Sequence, residues 1–327
     1  MRWFKVVIIT LCIVFGIAVM ARIYLYSQIP FGWQQVTIMV PRGTGSAGIA
    51  ELLARQGVIT DPWIFRILAW VEGKSRRMEA GEYEFTPLMT PHEVLNRIVK
   101  GEIKVYRLTI VEGWTMKEIA AYLESEKLVK ADEFLALCHA PEILARVGTG
   151  VTSLEGYLFP DTYNTRMPTS APQIIGMLLQ RAAEKYSPEF VKRQEELGMT
   201  RHEIITLASI IEKEAKVAEE RPLVSSVFHN RLKRNMPLGA DPTVVYGLTD
   251  FSGVIHKSDL ANPHPYNTYI HAGLPPGPIA SPGWASIKAA LWPADTQYLY
   301  FVSKNDGTHH FSETAAEHDA MVKEYQR

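Results

Sequence analysis

Among the carboxylates of this 327-residue chain, Glu212 has the setting best suited to moving a proton. The run Ile204 to Glu220 reads as one long helix. At about 100° per residue, Ile205 and Ala208 flank Glu212, with Ile204, Ile211 and Ala215 just beyond. Glu212 therefore falls at the edge of the apolar face, while Glu203 and Glu214 fall opposite, toward solvent. A carboxyl pressed against apolar surface keeps its proton to higher pH, because desolvation penalises the anion, and a general acid needs that. Lys216, one turn later, also permits an ordinary helix ion pair. The wheel alone leaves both readings open.

Other chemistries find little support. His202-Glu203 has no second histidine four residues after the first, so it is not a zincin motif. His309 and His310 are adjacent in a loop beside Gly307, and adjacent residues rarely ligate one ion. Cys12 lies in an apolar segment and Cys138 stands alone in the body, which allows neither an intramolecular disulfide nor a cysteine metal site. No metal or cofactor is expected. A net charge of -1 argues against nucleic acid as a bulk polyanionic partner. Gly43-Thr44-Gly45-Ser46-Ala47-Gly48 fits a dinucleotide fingerprint. The segment after it, Asp61 to Val71, reads as helical rather than as a second parallel strand, so that fingerprint is a decoy.

The elements that must carry this chemistry start with an anchor. After Arg2 and Lys5 comes an uninterrupted apolar run, Val6 to Ala21, then Arg22 and Ile23 to Tyr26. A spanning helix needs roughly 20 residues. The run suffices if Lys5 and Arg22 snorkel and Trp3, Tyr24 and Tyr26 sit at the interfaces. A cleaved signal peptide would end in small residues, and Arg22-Ile23-Tyr24 does not. The expectation is a single-pass anchor, which in a bacterium means the plasma (inner) membrane. Arg2 and Lys5 would hold the N-terminus in the cytoplasm, with the body periplasmic or on the outer face.

Residues 27–35 read as a linker. Val36 to Val40 reads as a strand, Pro41-Arg42-Gly43 as a turn, and Ile49, Ala50, Leu52 and Leu53 mark a helix ending near Gly57. The pattern returns at a constant offset: Leu108 to Val111 as strand, Glu112-Gly113 as turn, and Ile119, Ala120 and Leu123 on a helix. Val58-Ile59 matches Leu128-Val129. Such self-similarity reads as an internal duplication. Between the copies Gly81 to Phe85 alternates like a strand, and Thr90-Pro91-His92-Glu93 opens a helix with a capping box. Gly148-Thr149-Gly150 reads as a boundary. The expected parts are 1–28 (N-terminus and anchor), 29–150 (an αβ region carrying the duplication) and 151–327 (an α+β catalytic domain), an α+β fold as a whole.

The C-terminal part carries motifs in a specific order. Leu154-Glu155-Gly156-Tyr157-Leu158-Phe159-Pro160-Asp161-Thr162-Tyr163 comes first, then Leu207-Ala208-Ser209-Ile210-Ile211-Glu212-Lys213-Glu214. Val227-Phe228-His229-Asn230-Arg231-Leu232 and Asp241-Pro242-Thr243-Val244-Val245-Tyr246-Gly247 follow. Pro265-Tyr266-Asn267-Thr268-Tyr269, Gly273-Leu274-Pro275-Pro276-Gly277-Pro278-Ile279 and Gly307-Thr308-His309-His310-Phe311 complete the set. With them the chain resembles, over nearly its whole length, the membrane-anchored endolytic murein transglycosylases of the MltG/YceG family. One departure is His264, where relatives often carry a serine before Pro-Tyr-Asn-Thr-Tyr.

The resemblance implies lytic cleavage of the MurNAc-β-1,4-GlcNAc bond inside glycan strands, leaving 1,6-anhydroMurNAc ends without metal or cofactor. It makes the first glutamate of Glu-Lys-Glu, Glu212, the catalytic acid and then base. It implies a LysM-like character for the region before residue 150, either touching glycan or only spacing the enzyme. It also implies work near glycan polymerases, trimming nascent strands. Asp241, Tyr246, Asn267 and Tyr269 are candidates to line a sugar groove, since tyrosines offer flat faces and Asn and Asp bond hydroxyls. Asp241-Pro242 and Asn267-Thr268 are equally good turn formers. Glu155 either orients the site or caps its Gly-Tyr turn. A hydrolase would need a second carboxylate, with Asp241 or Glu155 available.

Overall fold

The computed structural model describes residues 2–32, 34–167, 169–248, 251 and 253–326. It is an α+β structure in two compact units: Met1–Arg107 with Asn164–Pro168, and Leu108–Tyr163 with Thr169–Arg327.

The first unit begins with helix α1 (Arg2–Gln28). Among the described residues, α1 is the one helix long and apolar enough to cross a membrane, over Trp3–Gln28. The order continues with β1 (Val36–Val40), α2 (Ser46–Arg55), α3 (Pro62–Val71), β2 (Gly81–Phe85) and α4 (Pro91–Val99). β1 and β2 pair antiparallel, Val36 opposite Phe85 and Val40 opposite Gly81. That pairing removes the parallel sheet a dinucleotide fold requires. The inward side chains Ile38, Val40, Tyr83 and Phe85 meet Ile49, Leu53, Phe65 and Leu95 in one core. Asp61 caps α3 by accepting the Trp63 and Ile64 N–H groups, and Thr90 with Glu93 forms the expected capping box of α4.

The linker expected at 27–35 is tied down instead. Ser27 is buried at the end of α1, the Phe31 N–H donates to the Met89 carbonyl, and the Leu88 N–H donates to the Gly32 carbonyl. Trp33, within that stretch, lies outside the described residues.

The second unit takes over within β3 (Val105–Thr109), which pairs with β4 (Thr162–Arg166). Between them run α5 (Met116–Ser125), α6 (Ala131–Leu137) and α7 (Pro141–Leu144), and α8 (Ala171–Lys185) follows β4. The duplication is therefore structural. Seventy residues separate Ser46 from Met116 and Arg55 from Ser125, the two ends of α2 and α5. Gly43 and Gly113 share the left-handed conformation, φ 81° and 79°. Ile49, Ala50 and Leu53, like Ile119, Ala120 and Leu123, are at most 1% exposed. Each copy repeats strand, helices, strand, helix. The second strand starts at Val105 rather than at the expected Leu108. Ile110 still donates its N–H to the Asp161 carbonyl, but regular strand geometry stops at Thr109. Gly148-Thr149-Gly150 is a loop inside this unit.

The rest of the unit is α9 (Pro188–Leu197), α10 (Arg201–Glu214), a 3₁₀ turn (Ala218–Glu220), α11 (Arg221–Lys233), α12 (Asp241–Gly247), α13 (Lys257–Leu260), α14 (Trp284–Leu291), β5 (Tyr300–Ser303), β6 (His309–Ser312) and α15 (Ala315–Tyr325). α10 is the central element. Every residue from Ile204 to Ile211 is buried, including Thr206 and Ser209, with α11, α12 and α14 packed on it. A helix buried on all sides has no solvent face.

Candidate active site

Glu212 sits in the last turn of α10, and two expectations about that turn are corrected. The helix does not run to Glu220. Ala215 is extended, φ −85° and ψ 105°, and its side chain is anchored in the core. No glycine or proline precedes this break, so packing overrides helix propensity here. With the helix ended, Lys216 is no longer one helical turn from Glu212. The chain doubles back through the 3₁₀ turn, and Arg221 at the head of α11 becomes the ion partner, Nη2 to Glu212 Oε1 at 3.4 Å. Glu214, expected on the solvent side, is placed otherwise. It is not turned to solvent; burial, and then the charge of Asp241, push it up to about 8.

The Glu212 side chain is 7% exposed. Its other oxygen accepts the Gly283 backbone N–H at 2.9 Å, at the N-terminus of α14. Arg221 is fixed in turn by donating from Nε to Ser286 Oγ on α14. The acid is thus held by a guanidinium and a helix N-terminal amide, two charge-compatible donors. Its surroundings are polar as well as apolar.

A second carboxylate stands beside it. Glu112, in the turn after β3, lies directly against Gly283, where even one added methyl group would collide with its carboxyl. Burial and then the charge of Glu212 raise Glu112 above the usual carboxylate range, with Arg221 opposing. Gly113, next in that turn, lies 3.7 Å by its missing Cβ position from Glu212 Cγ, and its carbonyl accepts Lys213 Nζ at 3.3 Å. Sequence reasoning missed Glu112 and Arg221. The signal for Glu112 was available: its counterpart in the first copy is Arg42.

A cavity of about 780 Å³ opens alongside, and Lys213 is part of its lining. Glu155, Asp241 and Tyr246 line it with His264 and Tyr266. Three of the five candidate groove residues are thereby brought together. Glu155 is 3% exposed; it accepts the Met116 N–H at 2.9 Å and the Tyr246 hydroxyl at 3.2 Å. Burial outweighs those two bonds and pushes its carboxyl up to about 7. Tyr246 and Tyr266 lie 4.8 Å apart by ring centroids. His264, the residue that departs from the family pattern, stands over Gly247 and closes one side.

Asn267 and Tyr269 are placed differently. Asn267 is 1% exposed and its amide serves its own loop, donating to the Leu260 and Asn262 carbonyls and accepting the Tyr269 N–H. Tyr269 is outside the cavity lining and donates its hydroxyl to Asp241 at 2.6 Å, fixing that carboxylate. The proline-rich segment braces the site from behind. Ile279 donates its N–H to Ser209 on α10, and His202 bridges Tyr157 and the Pro276 carbonyl. Gly156, at φ +80°, leaves room for Pro278, 2.3 Å from where a Cβ would stand.

The chain is similar to several known proteins. The model of the YceG-like family matches residues 38–324. An endolytic murein transglycosylase of Bacillus subtilis is 33% identical over 309 residues, 89% of this chain and 84% of that protein. One from Streptococcus pneumoniae is 28% identical over 322 residues, 89% of this chain but 58% of the longer relative. The crystal structure of a yceG-like protein from Listeria monocytogenes superimposes with a TM-score of 0.62 at 31% identity, covering 88% of this chain and 99% of that one. The motif order, the buried helix that carries Glu212 and these matches together show that the chain belongs to the YceG-like family.

Proposed function

We propose that the chain is an endolytic murein transglycosylase in which Glu212 is the catalytic acid and base. The observation that carries this is the placement of Glu212: 7% exposed, held between Arg221 and the Gly283 N–H, beside a second carboxylate and next to Lys213 at the edge of a cavity of about 780 Å³. Sugar units occupy the cavity against Tyr246 and Tyr266, with Asp241 and Glu155 facing their hydroxyls. The scissile bond lies at the Lys213 end. Glu212, protonated, gives its proton to the glycosidic oxygen as the C1–O bond breaks. The substrate's C6 hydroxyl then attacks C1 and returns its proton to the same carboxylate. One bond breaks and one forms, no water enters, and the product is a 1,6-anhydro sugar. The Gly283 amide and Arg221 aim the carboxylate, and Glu112 stands beside it against Gly283.

The helix α1 supports a single-pass anchor, with Arg2 and Lys5 keeping the N-terminus cytoplasmic and the body periplasmic. The strand–helix–helix–strand order of residues 36–85 supports a LysM-like module. An enzyme so anchored meets murein where synthases extend it, which fits trimming of nascent strands.

Digestion of purified glycan strands followed by mass spectrometry tests the chemistry. Wild type should release products one water lighter than hydrolytic ones, and Glu212→Gln should lose activity by roughly 1,000-fold with its thermal midpoint unchanged. Reducing-end products would favour a hydrolase with Glu112 as the second carboxylate. Undiminished cleavage by Glu212→Gln would remove Glu212 from the chemistry.

A further inference from the structure

α3 of the first unit exposes an apolar face that the core does not use. Trp63, Ile67, Trp70 and Val71 are 69, 40, 75 and 44% exposed, at spacings that put them along one side of the helix. The opposite side, Phe65, Leu68 and Ala69, is buried. Arg66 lies over the Trp63 ring at 4.7 Å, and no acidic residue occurs within Pro62–Val71. Exposed tryptophans in such number are rare on a surface that meets only water.

α3 is fastened to α1. The Tyr26 hydroxyl, in the last turns of α1, donates to the carbonyl of Asp61, the N-cap of α3, at 3.0 Å. Ile23 of α1 is 6% exposed and belongs to the same core cluster as Phe65 and Leu68. Twenty residues separate Trp3 from Ile23, which at 1.5 Å per residue is about 30 Å, the thickness of a bilayer's hydrocarbon core. If the span begins at Trp3, α3 is fastened to α1 at the level where it leaves the lipid. Tryptophan prefers that interface, and a cationic side chain beside it can meet lipid phosphate.

Resting on the reading of α1 as a membrane span, we propose that α3 lies in the headgroup region of the same bilayer. Trp63, Ile67 and Trp70 are immersed, so the first unit is held to the membrane by its surface as well as by its anchor. The anchor then no longer acts as a free swivel, and the height of the first unit above the membrane is set by α3.

The full chain in phosphatidylcholine–phosphatidylglycerol vesicles tests this by nitroxide labelling. The natural Cys12, exposed in the middle of α1, reports the anchor; Cys138 is buried. Ile67→Cys in a Cys12→Ser background reports α3, and Val191→Cys in the same background is the exposed control. The label at 67 should collide with dissolved oxygen in preference to a water-soluble nickel chelate, its nickel rate at least fivefold below that at 191. Trp63→Ser with Trp70→Ser should raise that nickel rate at least twofold. A lipid-like signal at 12 with a water-like signal at 67 would overturn the proposal and leave the anchor standing. A water-like signal at 12 would remove the anchor, and this inference with it. Shielding of 67 by soluble murein fragments instead of lipid would make the face a glycan groove and overturn the membrane reading.

Discussion

After β1 the chain turns through Arg42 and Gly43; seventy residues later, after β3, it turns through Glu112 and Gly113. The glycines have nearly the same φ, the following helices have the same length, and the buried triplets match. Yet a Cβ on Gly43 would meet nothing within 4 Å, whereas Gly113 lies against Glu212. The first N–H of α5, at Met116, is taken by the buried Glu155, and the N-cap Thr115 forms a capping box that Gly45 of the first copy lacks. The same backbone unit serves in one place as a packed module and in the other as a wall of the candidate site. The difference lies in turn residues and helix-end amides, which can change without disturbing the buried triplets that both copies keep.

Of changes confined to the two turns, exchanging their side chains should have the largest effect. Glu112→Arg gives the second copy the first copy's residue and places a cation beside Glu212 and Gly283. Murein cleavage should fall roughly 100-fold, with the thermal midpoint within a few degrees of wild type because Glu112 is at the surface. Arg42→Glu, the reverse exchange, should leave cleavage rates unchanged. Equal losses in both variants would mean that the two turns act alike and that Glu112 has no special place in the site.

Glu155 offers a next-largest effect and an explicit sign. Burial lifts its folded-state pKa to about 7, above the ordinary glutamate value of 4.5. Between these values the unfolded chain has lost its proton while the folded chain keeps it. The folded state is therefore favoured least above pH 7, and stability falls as pH rises from about 4.5 to 7. A shift of that size corresponds to roughly 3 kcal/mol. Chemical unfolding of the full chain at pH 5 and pH 8 should show that Glu155→Gln reduces the pH-dependent loss by an amount of this order. The first copy has no corresponding buried acid at its helix start, so Glu51→Gln, on the solvent side of α2, should leave the slope as it was. An unchanged slope in Glu155→Gln would mean that Glu155 is ionised in its cavity.

The parts of this structure that follow from local rules were legible in the sequence. The offset of the two copies fixed α2 against α5, Thr90 and Glu93 announced the start of α4, and the apolar run announced α1. Glu212 was singled out as a candidate through its helix and its motif. What the sequence hid depends on contacts between distant segments. Ala215 breaks α10 without a glycine or proline, because its side chain is held in a core built from α11 and α14. Glu214 looked exposed on a wheel, since a wheel does not know that α11 and α12 cover the other side of α10. Arg221 became the partner of Glu212 only through that break. Asn267 had the chemistry of a sugar ligand, but its amide is engaged by three backbone groups of its own loop.

The smallest predicted effect asks whether the two turns are alike as backbones. Gly43→Ala and Gly113→Ala each force a Cβ into the left-handed region, at φ 81° and 79°. That costs about 1 kcal/mol apiece. At Gly43 the added methyl meets nothing; at Gly113 it meets Glu212 Cγ at 3.7 Å and Lys213 Cδ at 3.8 Å, ordinary van der Waals distances. Space therefore does not separate the two variants, and the backbone term should make their losses in unfolding free energy equal within about 0.5 kcal/mol. A much larger loss for Gly113→Ala would show that the second turn is packed against α10 more tightly than these distances allow. The duplicated unit would then have been reshaped in its backbone as well as in its side chains.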